Sequence, residues 1–354
     1  MLPAAPSLRW PRWLLVYLLA LGLVAGPAYP MYLHYDFTHS RDTLSYLSLA
    51  RGEFGGVNVT RRYRVLVPAA AAAVAWPLEK VYARIWPQRA TSEWPLRLGF
   101  YVVNCLLLAG VGLVLFRTCL LYGASPAAAA LAVAAVLTSR WTVYTAGLPL
   151  VDSLYLLVVA LAFYGARSGS AAAVGAVLLL GFPAKESALL LVPWLLWYGR
   201  HALRWPWQLA GLAVGGAATL ALRHWIDVQA GATAIESVSN ALGHFENLTY
   251  SLRRLFSVKG IGELFSIFGF FSLLILAGLR TSAARRNWLP ALGGAGGWLV
   301  VIVGAHMLLS GDLGRMGYLA APVFAVAFSL ILTRDPLFGW LRPDASGRTA
   351  IPTS

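Results

Sequence analysis

"VLVPAAAAAVAWPLEKVYARIW", residues 65–86, decides how this chain is threaded. Its first half is apolar enough to enter a membrane, while its second half carries Glu79, Lys80 and Arg84. Counted as a span, it inverts every segment after it. Laid along the membrane surface, it puts the short loops with Arg117, Arg167, Arg200/Arg204 and Arg280/Arg285/Arg286 on one side. The tail with Arg334, Arg342 and Arg348 joins them. Short loops rich in Lys and Arg stay cytoplasmic, so the surface reading is the better one, and it predicts about ten spans with both ends inside.

The rest of the sequence fits that solvent. Of 354 residues, 59% are apolar and 12% are charged, where a soluble domain carries roughly 45–50% and about 25%. The apolar blocks lie near 13–32, 98–116, 122–139, 150–166, 170–183, 187–199, 207–223, 262–279, 289–308 and 317–333. In lipid each must close its own backbone hydrogen bonds, which a helix does. The expected fold is therefore all-α: a polytopic integral membrane protein with amphipathic helices in a first extracytoplasmic loop, 33–97. Arg9 and Arg12 precede an apolar run from Trp13 to about Leu33, followed by small residues in "AGPAYP". The run is long enough to span, so it reads as an uncleaved first helix and not as a signal peptide. Cys105 and Cys119 have no paired spacing and read as small core residues. The sequons at Asn58 and Asn247 read as incidental.

The net charge is +14. In a soluble protein that would suggest nucleic acid. In this chain it implies arginines among membrane lipid headgroups and an anionic substrate, with no nucleic-acid partner. The polar residues collect on the outer face. A second long outer segment, 224–261, carries His224, Asp227, Glu236, His244, Glu246, Arg253 and Arg254. Of these, His244 and Glu246 are weak candidates for contacting an acceptor.

Five stretches on that face carry the candidate chemistry. In "SRDTLSYLSLARG", 40–52, Ser40 is a helix N-cap, Asp42 sits in the first turn, and Asp42, Tyr46 and Ala50 share one helical face. A purely structural role for Asp42 at the helix dipole is the competing account. "RRYRVLVP", 61–68, holds Tyr63 and Arg64, which reach an anion or snorkel to headgroups. "TAGLPLVDSLYLLVVALAF", 145–163, opens an apolar helix with Asp152, and "GFPAKESALLLVP", 181–193, puts Lys185 at the same level. Charged groups at such depth are expensive unless paired, which marks them as functional candidates. Finally "GDLGRMGYLAAPVFAVAFS", 311–329, places Arg315 just before a span. "HYDFTHSRD", 34–42, groups His34, Asp36, His39 and Asp42, types that ligate divalent ions, although the spacing matches no specific signature. A divalent metal is thus possible and no cofactor is certain. His306 reads as a core residue or pocket liner, and Arg140 as an interfacial arginine.

In this order, the elements resemble the GT-C superfamily of polyprenyl-phosphate-dependent glycosyltransferases, in particular the branch of the lipid A aminoarabinose transferase and the protein O-mannosyltransferases. That branch has a D-E-x-x-Y-x-x-I-A-R pattern in its first outer loop, similar to Asp42, Tyr46, Leu49, Ala50 and Arg51. Tyr63-Arg64 through Pro68, Pro149 with Asp152, Lys185 with Pro193, and Arg315, Tyr318 and Pro322 follow in the same order. The second acid of the pattern is Thr43 in this chain, and no large soluble domain follows. The resemblance covers roughly 13–200 and 311–330. It implies a catalytic membrane module over 1–200 that includes loop 33–97. A variable membrane module over 201–354 follows, with loop 224–261 and a cytoplasmic tail, 334–354.

The resemblance also implies a plasma-membrane transferase, multi-pass in the cell envelope, with its active site on the extracytoplasmic side. Its partners would be a polyprenyl-phosphate sugar donor and a lipid or glycan acceptor, with inversion at the anomeric carbon. Asp42 is then the candidate general base. Arg64, Lys185 and Arg315 are candidates for the donor phosphate, supported by Tyr46, Tyr63 and Asp152. A transporter or flippase that binds the same phosphate without chemistry is the alternative. Internal repeats, the usual mark of a transporter, are not visible in the sequence.

Overall fold

The computed structural model describes residues 10–37, 40–231 and 246–341. The chain runs α1 (Trp10–His34), α2 (Arg41–Ala50), α3 (Val59–Arg62), α4 (Leu66–Ile85), α5 (Pro87–Ala90), α6 (Trp94–Leu121), α7 (Pro126–Leu137), α8 (Arg140–Gly147), α9 (Asp152–Ser168), α10 (Ala171–Ala184), α11 (Val192–Tyr198), α12 (Trp205–Ala230), α13 (246–255), α14 (Val258–Phe268), α15 (Ser272–Leu279), α16 (Ser282–Ser310), α17 (Leu313–Gly317) and α18 (Ala321–Arg334). A 3-10 segment, Glu186–Leu191, joins α10 to α11. Among the described residues there is no strand.

Local chemistry sets these boundaries. Ser40, Ser125, Ser139 and Ser170 each cap a helix by accepting a backbone N–H three residues on, satisfying a donor the helix leaves open. Gly169, Gly231 and Gly311 end α9, α12 and α16 in the left-handed conformation, which costs glycine little.

Among the described residues, six helices or helix pairs are long and apolar enough to cross a membrane: Trp10–His34, Trp94–Leu121, Trp205–Ala230, Val258–Leu279, Ser282–Ser310 and Leu313–Arg334. α7 and α8 make a seventh if taken together, but they bend by 58° where Ser139 starts a new helix. The other expected spans are shorter. α9 has 17 residues and α10 has 14, or about 26 and 21 Å at 1.5 Å per residue. The block at 187–199 is divided between the 3-10 segment and α11. The decisive stretch, 65–86, forms the 20-residue α4, which is not one of the six.

α6 and α18 form the centre. Leu108, Ala109, Val111 and Leu115 of α6, and Ala321, Ala325, Val326, Phe328 and Leu330 of α18, are all fully buried. α4 lies along the first part of α6. A Cβ on Gly99 would stand 2.3 Å from the Ala71 carbonyl oxygen, so only a glycine admits this approach. The outer helices expose leucine stripes, as with Leu14, Leu15, Leu18 and Leu19 on α1. Such bare faces belong in lipid, since a helix leaves no backbone group unsatisfied there. The molecule is thus a multi-pass membrane protein.

The basic residues of the short loops gather at one end. Arg117 stacks over Trp13, and Arg167 over Tyr122. Arg334 donates to the carbonyls of Tyr122 and Asn287, and Arg280 grips Asp335 with two 2.7 Å bonds. The C-terminal end of α1, the start of α9 and the α16–α17 turn lie at the opposite end, where the polar cavity opens.

A candidate anion-binding cavity

A cavity of about 1260 Å³ opens between α2, the loop 55–64, the 3-10 segment after α10, and the α16–α17 turn. Among the described residues, six cations line it: Arg41, Arg61, Arg62, Arg64, Lys185 and Arg315. Three carboxylates join them: Asp42, Glu186 and Asp312.

A chain of alternating charges forms its floor. Arg61 Nε donates to Asp42 Oδ1, and Arg315 Nη1 donates to Asp42 Oδ2 at 2.6 Å. Arg315 also donates through Nε to Asp152 Oδ2 at 2.8 Å and through Nη2 to the same oxygen. Lys185 Nζ reaches Asp152 Oδ1 at 3.1 Å. Beside this chain, Arg64 holds Glu186 through Nε at 3.2 Å and through Nη2, and its Nη1 donates to Tyr46 Oη at 3.1 Å. Tyr46 is completely buried. Its place one turn after Asp42 thus lets α2 present an acid to the cavity and brace Arg64 from beneath.

Each group reaches the site through a break in regular structure. Asp152 is the first residue of α9, after the extended "GLPLV" link from α8. Asn104, buried in the middle of α6, fixes that link. Its Nδ2 donates to the carbonyls of Leu148 and Leu150 at 3.2 and 3.1 Å, and its Oδ1 accepts from Ser153 Oγ at 2.5 Å. Lys185 follows the last residue of α10 in extended conformation, which turns its side chain inward. Arg315 sits in the one-turn α17, capped by Asp312.

Burial would push the Asp42 carboxyl up, but Arg315 and Arg61 outweigh it and hold the group below the ordinary carboxylate range. Asp42 is therefore ionised, a weak base with a guanidinium on each oxygen. Asp152 does not line the cavity; it lies behind Lys185 and Arg315 and orients them. An anion in the cavity would meet Arg61, Arg64, Lys185 and Arg315 on prearranged side chains.

The structure brings Asp42, Tyr46, Arg64, Asp152, Lys185 and Arg315 together. Tyr63 goes elsewhere: its hydroxyl donates to Asp227 at 2.8 Å, Arg223 stacks on its ring, and it ties the loop to α12. Arg140 packs over Trp141 outside the cavity. His306 is buried against Tyr155 and lines the cavity. Glu246 is exposed at the start of α13 and is not among the lining residues. His39, Glu236, His244, Arg9, Arg342 and Arg348 lie outside the described residues. Among the described residues, no group of three or more His, Cys, Asp or Glu side chains stands close enough to hold a metal ion.

Glu186, Asn104 and Asp312 are participants that sequence reasoning did not single out. A lone Asn inside an apolar span is a legible signal for Asn104. Glu186 was visible as the neighbour of Lys185 in "PAKE", but its pairing with Arg64, 122 positions away, was not.

Comparison of the chain with protein-family models, curated proteins and solved structures gives no match.

Proposed function

We propose that this chain is a membrane glycosyltransferase that moves a sugar from a polyprenyl-phosphate donor to a lipid or glycan acceptor, with inversion. The observation that carries this reading is the cationic surplus of the cavity. Six cations face three carboxylates, in a molecule whose outer surface is otherwise built for lipid. Phosphate is the anion that such a set of guanidinium and ammonium groups suits. A prenyl chain finds its place among the apolar helices beside it.

In the proposed step, the acceptor hydroxyl oxygen attacks the anomeric carbon. The bond from that carbon to the phosphate oxygen breaks, and its electron pair leaves with the polyprenyl phosphate. Arg64, Lys185 and Arg315 stabilise the charge that develops there. The acceptor proton passes to Asp42. A base held down by two arginines suits a reaction whose leaving group departs ahead of proton transfer, through an oxocarbenium-like state. Tyr46 and Asp152 position Arg64 and the Lys185/Arg315 pair. The likeness to the GT-C superfamily agrees with this assignment. The proposed topology has ten spans in the plasma membrane, with α4 on the surface, the arginine-rich end in the cytoplasm and the cavity outside, as the loop arginines direct.

The test is binding of decaprenyl phosphate to the purified chain in nanodiscs, with decaprenol as the uncharged control. Arg64→Ala, Lys185→Ala and Arg315→Ala should each weaken binding by about tenfold or more, the worth of one charge-assisted hydrogen bond. Wild-type affinity in all three removes the phosphate site. Movement of a decaprenyl-phosphate sugar across vesicles, with no release of decaprenyl phosphate, would make the protein a flippase instead.

A further inference from the structure

Asp312 differs from every other carboxylate of the cavity. Asp42 and Glu186 are each gripped by arginine. Asp312 pairs with no cation among the described residues. Its Oδ1 accepts the backbone N–H of Arg315 at 3.0 Å, which caps α17. Burial pushes its carboxyl above the ordinary range, outweighing the charge and backbone N–H of Arg315. An acceptor group in that condition is incompletely satisfied, and hydroxyl donors would satisfy it.

Its neighbours have the same character. Ser310 and Asn247 line the cavity beside it. The Ser310 hydroxyl accepts the Asp312 N–H at 3.3 Å. Gly311, at φ 77°, makes the turn that exposes this edge. A Cβ there would stand 3.2 Å from Asn247 Oδ1, so the amide lies directly against the turn. The Ser310 hydrogen goes to the Met307 carbonyl, so the Asp312 carboxylate and the Ser310 oxygen offer acceptors and the Asn247 carboxamide offers donors, the combination that pairs with adjacent hydroxyls on a ring. Arg315 is one helical turn away, so a phosphate held by its guanidinium carries its attached group alongside this wall.

We propose that Asp312, Asn247 and Ser310 form the subsite for the hydroxyls of the transferred sugar, next to the phosphate held by Arg315. This rests on the phosphate reading above and extends it to the other half of the donor.

The test compares two kinds of probe on the full chain in nanodiscs. One is bare decaprenyl phosphate. The other is a set of decaprenyl-phosphate glycosides of mannose, glucose and arabinose. Wild type should bind at least one glycoside more tightly than the bare phosphate. Asp312→Asn keeps the helix cap, because Asn caps as well as Asp. It should erase about tenfold of that gain and leave bare phosphate affinity unchanged. Asn247→Ala should do the same to a smaller extent, and Arg315→Ala should weaken both probes. The subsite is overturned if wild type gains nothing from any of the sugars. It is also overturned if Asp312→Asn and Asn247→Ala bind the preferred glycoside as wild type does, or lose bare phosphate equally. Failure of wild type to bind bare phosphate instead overturns the functional reading, and the subsite with it.

Discussion

Asp152→Ala tests how the floor of the cavity is held. The carboxylate is 6% exposed and accepts from Lys185 and twice from Arg315. Removing it does not affect the two cations equally. Arg315 keeps its 2.6 Å bond to Asp42. Among the described residues, Lys185, 5% exposed, keeps only the Met316 sulfur at 3.2 Å and the face of Tyr155 at 5.6 Å. Breaking a buried ion pair by deleting one partner costs about 3–5 kcal/mol, mostly because the other charge is left uncompensated. Most of that loss should therefore sit on Lys185. Lys185→Met removes the charge and keeps the stem, so the double variant Asp152→Ala/Lys185→Met should regain about 2 kcal/mol or more over Asp152→Ala. Reversible unfolding in mixed micelles measures all four proteins. An Asp152→Ala protein within about 1 kcal/mol of wild type refutes the reasoning, as does a double variant whose loss is the sum of the singles, since additivity means no coupling.

Three other expectations follow from the same geometry. Asp42→Asn should lower sugar transfer about 10²–10⁴-fold. The Asp42 carboxyl is depressed on folding, so its stabilising contribution is present above the ordinary value of 3.8 and lost as pH falls through its lower folded value; the stability gap between wild type and Asp42→Asn should therefore close in acid and stay constant above about pH 5. Asn104→Leu takes the amide donor from the Leu150 carbonyl and the acceptor from the Ser153 hydroxyl, while the Leu148 carbonyl keeps the Leu150 N–H at 2.8 Å, so it should cost about 1–3 kcal/mol and weaken decaprenyl phosphate binding; unchanged binding would mean that helix packing alone holds Asp152 in place. For topology, both native cysteines are buried, so Ser282→Cys provides a single reporter at the arginine-rich end. It should react with a membrane-impermeant maleimide only after lysis, and labelling of intact cells would invert the threading and make α4 a span.

Much of this protein was legible in one dimension. Lipid contact selects for long runs without charge, and a helix satisfies its own backbone, so composition and block length alone identify an all-helical membrane chain. Ser40 as a cap, and Asp42 and Tyr46 one turn apart, were readable because capping and helical spacing are local. The oddity of Asp152, Lys185 and Arg315 was readable too, because a charge in an apolar block is costly wherever it sits. Their convergence was not. Asp42 and Arg315 are 273 positions apart, and Asp152 and Arg315 are 163 apart; the ion pairs exist only because α2 and α9 begin, and the short α17 lies, at one level of the bundle. Tyr63 shows the opposite case. It is adjacent to Arg64 in sequence, yet the one-turn helix before it sends its ring to Asp227 on α12. Span length also escaped the sequence. The apolar block near 122–139 reads as one span, but α7 stops at Leu137 and the Ser139 cap begins a second helix at 58° to the first. Hydropathy records what a segment tolerates around it, whereas bends and pairings depend on distant contacts that only the packed chain supplies.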